Sequence, residues 1–138
     1  MSYLKHSSWG RTRRPKNIAG PDGTAVTLES APTTDASAGY RTENQRFLHI
    51  WMDANGANDS VIVYAFNYAT AKWASLHASV GVRNGAHTTF DLATVPVEID
   101  CSTTEKYVIV DIAGADRVAF VQAGSTDTVT LYAACSTF

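Results

Sequence analysis

The chain has 138 residues, 45% of them hydrophobic and 17% charged, which is enough apolar matter for one folded core and too little charge for a disordered polymer. No run of about 18 apolar residues occurs, which excludes a membrane-spanning helix, and the basic first twenty residues lack the apolar stretch of a secretory signal. The formal charge of −2 hides an asymmetry: Lys5, Arg11, Arg13, Arg14 and Lys16 precede every acid in the chain, so a basic arm is joined to an acidic body.

Residue choice favours strands. There are 12 Val, 6 Ile and 16 Thr against 6 Leu, 2 Met and 4 Lys, and β-branched residues suit a pleated surface better than a helix. Residues 1–23 carry Gly10, Pro15, Gly20, Pro21 and Gly23 and read as an extended arm closing in a turn at Gly20-Pro21-Asp22-Gly23. Thr24 to Glu29 alternates and suits a first strand with Val26 and Leu28 inward. Ala31 to Arg41, rich in small and polar residues, reads as a loop.

Arg46 to Met52 places Leu48, Ile50 and Met52 on one face and Phe47, His49 and Trp51 on the other. After the polar stretch Asp53 to Asp59, Ser60 to Tyr68 sets Ile62, Tyr64, Phe66 and Tyr68 opposite Val61, Val63, Ala65 and Asn67; these two runs read as a β-hairpin. Lys72 to Val82 has both helical and strand spacing, and its Ser and Val content, with a turn at Arg83-Asn84-Gly85, favours strand. Thr88 to Leu92 is a short strand, and Val95 to Asp100, carrying Pro96, an edge or a strand start. Glu105 to Ile112 is apolar on both faces and is expected at the centre of a sheet. A tight turn at Gly114-Ala115-Asp116 returns the chain into Arg117 to Gln122. Gly124 to Asp127 turns again into Thr128 to Cys135, with Val129, Leu131, Ala133 and Cys135 on one face.

Eight or nine short strands at such spacings predict an all-β fold, an antiparallel β-sandwich of which the jelly roll is one form. Residues 1–23 are expected to form the arm and residues 24–138 a single domain.

Catalytic templates fail along the chain. His6, His49, His77 and His87 have no metal-ligand spacing. Asp91, Glu98 and Asp100 are the nearest to a carboxylate pair, but half of the acids sit in turns, where Asp is a good turn residue. Ser75 and His77 are neighbours on a strand without a nucleophile elbow. The Asp53–Asp59 loop has oxygen donors but lacks the closing bidentate acid of a calcium loop. Cys101 and Cys135 read as free thiols. No enzyme, cofactor or metal is therefore expected. Arg11-Thr12-Arg13-Arg14-Pro15-Lys16, with Trp9 beside it, fits an arm that docks on a neighbouring protein better than a solvated tail or one that holds nucleic acid, because Trp and Arg are favoured interface anchors. The partner-binding residues are then Trp9, Arg11, Arg13, Arg14 and Lys16. Trp51, Tyr64, Tyr68 and Trp73 are candidates for an aromatic contact surface, the alternative being core packing.

A small acidic β-sandwich with a basic arm and no enzyme motif resembles the small structural proteins of tailed-phage virions, among them the capsid decoration (cement) proteins. The stretch Val110-Asp111-Ile112-Ala113-Gly114-Ala115-Asp116-Arg117-Val118 resembles a strand-turn-strand element common in such proteins. The resemblance implies a virion location after assembly in the host cytoplasm and a homotrimer on the capsid. It also implies an arm that fastens the major capsid protein or other virion subunits. A head–tail connector or tail subunit, and a carbohydrate- or receptor-binding module of a tail fibre, are the rival expectations.

Overall fold

The computed structural model describes residues 14–53, 60–76, 82–83, 90–91, 98–100, 104–112, 115–123 and 129–137. These residues form strands, turns and coil, with no helix among them. The strands are β1 (Lys16–Asn17), β2 (Tyr40–Arg41), β3 (Phe47–Met52), β4 (Ser60–Asn67), β5 (Lys72–Ser75), β6 (Val82–Arg83), β7 (Phe90–Asp91), β8 (Glu98–Asp100), β9 (Lys106–Asp111), β10 (Arg117–Ala123) and β11 (Leu131–Ser136). One sheet, called A below, runs β1-β11-β3-β9. The second, B, runs β2-β10-β4-β5, with β8 also paired to β4. Every pairing is antiparallel, including a small separate pair of β6 with β7. The chain is an all-β, two-sheet sandwich.

Alternation within each strand explains the core between the sheets. Leu48, Ile50 and Met52 of β3 and Leu131, Ala133 and Cys135 of β11 point inward from sheet A; Val61 and Val63 of β4 and Val118 and Phe120 of β10 meet them from sheet B. Side chains two apart share a strand face, so each of these runs buries one face as a unit.

The outer face of sheet B is buried as well, under the 31–39 loop. Phe66, Trp73 and Ala119 form a second apolar cluster there, with Tyr64 and Ala38 packed against it. Polar bonds fasten the loop. Trp73 donates from its backbone N to Thr33 O (2.9 Å) and from its indole Nε1 to Asp35 O (2.7 Å). Arg117, itself buried, donates to the carbonyls of Ala38 (2.7 Å), Ser37 (3.0 Å) and Gly39 (2.9 Å).

Several expectations are corrected. The hairpin of Arg46–Met52 with Ser60–Tyr68 does not form: β3 pairs with β11 and β9, whereas β4 pairs with β10, β5 and β8 in the other sheet. The chain passes from sheet A to sheet B between these two strands. The same holds for β9 into β10, which were expected to pair across the Gly114 turn. Glu105–Ile112 is not central among the described residues: β9 ends the order of sheet A, and its Tyr107 and Ile109 are 55% and 56% exposed. Thr24–Glu29 forms no strand. Val26 is buried as expected, but the segment crosses the open side of the sandwich, with Val26 N donating to Leu131 O in sheet A (2.8 Å) and Glu29 N to Phe120 O in sheet B (3.0 Å). A segment that gives one bond to each sheet builds a ladder with neither.

Other expectations hold. The turn at Pro21-Asp22-Gly23 closes through Thr24 N to Pro21 O (3.0 Å), with Gly23 at a φ of 86°. Lys72–Ser75 is strand, as is Val82–Arg83, which pairs antiparallel with Phe90–Asp91. Residues 54–59, 77–81, 84–85, 113–114 and 124–128 lie outside the described residues.

Candidate functional site: the outer face of sheet A

Two hollows flank the entry of the chain into sheet A. The larger, of about 730 Å³, lies beside the edge strands β1 and β2 and is lined by Arg14, Lys16, Asp22, Arg41, Glu43 and Cys135 among others. Its charges are largely paired: Arg14 with Asp22, and Lys16 with Glu43 at 3.8 Å. These exposed pairs contribute little to stability. Glu43 and Asn44 both have positive φ, 52° and 60°, in a turn closed by Gln45 N to Thr42 O (3.0 Å) that carries the chain from sheet B to sheet A. At the floor, burial pushes the Cys135 thiol up to about 11, so it is protonated and unreactive at neutral pH.

The smaller hollow, of about 220 Å³, opens on the outer face of sheet A, between Pro15, Asn17, Asp22 and Gly23 on one side and His49, Trp51, Tyr107 and Tyr132 on the other. The register builds this wall. Trp51 stands opposite Tyr132 of β11 and Tyr107 of β9, and His49 stands two residues along the same face. Trp51 is 44% exposed. The Trp51 and Tyr107 ring centroids lie 6.1 Å apart, inclined at 59°, and those of His49 and Tyr107 5.9 Å apart.

Hydrogen bonds hold these rings. His49 Nδ1 meets Tyr107 Oη at 2.6 Å, His49 Nε2 meets Ser136 Oγ at 2.7 Å, and Trp51 Nε1 donates to Asp53 Oδ1 at 3.3 Å. A neutral imidazole donates at one nitrogen and accepts at the other, so it completes the relay from Tyr107 to Ser136. Burial lowers the His49 pKa and favours that neutral form. Ser136 is buried, so the Ser–His contact supports a side chain and exposes no nucleophile.

The sequence candidates are dispersed. Trp9, Arg11 and Arg13 lie outside the described residues, while Arg14 and Lys16 stand at the larger hollow. Trp51, Tyr64, Tyr68 and Trp73 do not share a surface: Trp51 is on sheet A, and the other three belong to β4, β5 and their turn in sheet B. Trp73 is buried under the loop, Tyr64 is half-buried against it, and Tyr68, 53% exposed, stands edge-on to Phe66 at 5.0 Å. Of the partners Trp51 does have, His49 shares its strand face by alternation, whereas Tyr107 and Tyr132 lie on strands far away in sequence. Only the pairings of β3 with β9 and β11 bring those two tyrosines beside Trp51, although outward alternation in each strand marks them singly.

His6, His77, His87 and Cys101 lie outside the described residues, as does most of the Asp53–Asp59 loop. Asp91 sits on β7, and Glu98 and Asp100 on β8, away from His49 in the sheet order. Among the described residues no group of three His, Cys, Asp or Glu side chains is placed to hold a metal ion. No protein-family model, curated protein or solved structure matches the chain.

Proposed function

We propose that this chain is a structural subunit of a virus particle, a decoration protein that binds the assembled coat and stabilises it. The observation that carries this reading is the strand order. The two antiparallel sheets β1-β11-β3-β9 and β2-β10-β4-β5 form a β-sandwich, and we read it as a jelly roll, an architecture of many viral capsid proteins. The basic segment supports it. Arg14 and Lys16, in the basic arm of residues 1–23, lie beside and within β1, the outermost strand of sheet A among the described residues, so the described part of the arm runs along an edge of the sheet. An arm attached there extends a contact to a neighbouring subunit without disturbing the core. Binding to the assembled shell in preference to free subunits shifts assembly by mass action, and no chemistry is required.

Native mass in solution tests the reading. Light scattering on the full-length chain is expected to give a trimer of three 14.9 kDa chains, since cyclic closure matches a threefold position on a shell. A ring of six or more would replace it with the connector or tail reading. A second test removes residues 1–13 only, because Lys16–Asn17 form β1 and Ile18 packs on the core. That variant is expected to keep its fold and lose co-sedimentation with coat shells; undiminished binding would take the docking role from the arm.

A further inference from the structure

We infer that the outer-face hollow of sheet A is a binding site for a neutral saccharide, a function separate from the proposed role in the particle shell. A pyranose has a C–H face that stacks on an aromatic ring and a rim of hydroxyls that needs hydrogen-bonding partners. The hollow offers both. Trp51 and Tyr107, each about half exposed, supply two inclined ring surfaces. Asn17, its amide already bonded to Thr24 O and Ala19 N, and Asp22 line the opposite wall. Asp22 binds Arg14 through Oδ2, which leaves Oδ1 to accept from a sugar hydroxyl. Tyr132, on the wall with Trp51 and Tyr107, brings a phenol that both donates and accepts.

Two further features favour a small polar ligand over a protein surface. The rings are fixed before binding: Trp51 by Asp53, and Tyr107 by the His49–Ser136 relay. A preformed platform loses little side-chain entropy when a weak ligand binds, and a single sugar ring has little interaction energy to offset such a loss. The hollow is also small and concave, at about 220 Å³, where a protein partner needs a broad surface of roughly 800 Å².

Saturation-transfer NMR on the full chain tests the inference. The probes are methyl glycosides of glucose, galactose and N-acetylglucosamine, and their short oligomers. At least one is expected to receive saturation. Trp51→Ala and Tyr107→Ala are each expected to weaken it by about tenfold, the loss expected of one stacked ring. Asp22→Asn should weaken it less, and Tyr68→Ala, on the other sheet, should leave it unchanged. Trp51→Phe keeps a ring and should retain most of the binding, which separates ligand loss from misfolding. No transfer to any probe, or binding that survives both ring deletions, overturns the inference. So does a drop in native mass on Trp51→Ala, which would assign the face to a second copy of the chain.

Discussion

Gly39 shows how tightly single positions are set. Its φ is 64°, and a Cβ added there would lie 2.3 Å from Val118 O and 3.0 Å from the Trp73 ring. Gly39→Ala thus combines a left-handed penalty with a clash against backbone, and an expected loss of about 2–4 kcal/mol follows. Ala71 is the converse case. It holds a φ of 52° with a Cβ in place, so Ala71→Gly relieves about 1–2 kcal/mol of strain while adding about 0.5–1 kcal/mol of unfolded-chain entropy. A small net gain is expected, and chemical denaturation of the two variants reads both signs. His49 adds a dependence on pH. Its folded pKa lies below the ordinary 6.5 because burial disfavours the charged imidazole. The unfolded chain thus binds the proton more readily, and stability rises with pH between the two values. Stability is expected to be at its full level above about 6.5 and to fall as acid takes the pH through the folded value. His49→Gln should flatten that slope in melting curves recorded from pH 7.5 down to 5; an unchanged slope would assign it to other groups.

At the scale of elements, the Asp116-Arg117 pair acts as a fastener. Asp116 Oδ2 accepts from Tyr68 N (2.9 Å), and its carbonyl accepts from Thr42 N (3.1 Å). Arg117 ties the 37–39 backbone over the Phe66–Trp73 cluster. Arg117→Met keeps the stem and removes the donors, leaving three carbonyls without their partner. A loss of about 3 kcal/mol is expected, and with it a melting temperature lower by about 10 °C. Opening of the 31–39 loop should appear as exposure of Trp73 to a fluorescence quencher. That loop also shows where sequence reading stops. Alternation in Phe47–Met52 and Leu131–Ser136 was legible, because burial of one face is written at period two. Partner choice was not: the runs Phe47–Met52 and Ser60–Asn67 look like a hairpin until β11, the last strand of the chain, is seen to occupy the place beside β3. Glu105–Ile112 misled for a related reason. Tyr107 and Ile109 have the apolar character of a central strand, yet they face solvent beside Trp51. A surface built for contact and a buried face have the same composition, so only the register distinguishes them.

For the molecule as a whole, the topology makes β11 decisive. It lies between β1 and β3, with Lys16 and Leu48 both paired to Cys135, and the crossing segment 24–29 also bonds to it through Leu131 O. Leu131, Ala133 and Cys135 place three consecutive inward side chains at the middle of the core. Sheet A therefore cannot close until the last strand of the chain arrives. Its partners are far away in sequence, so the entropy of closing long loops is met before their contacts form, and folding on a scale of about milliseconds to seconds is expected. Removing residues 131–138 would strip β3 of one neighbour, unpair β1, and expose Leu48 and Ile50 along a bare apolar edge. That truncation is expected to leave no cooperative melting transition and an aggregated product on size exclusion. Leu131→Ala, which empties one fully buried site in the same strand, should cost about 2–5 kcal/mol and still fold. Tyr132→Ala, turned to the outer face, should cost far less. Equal losses at 131 and 132 would mean that β11 is not seated with one face in the core, and the sheet order derived from it would fail with it.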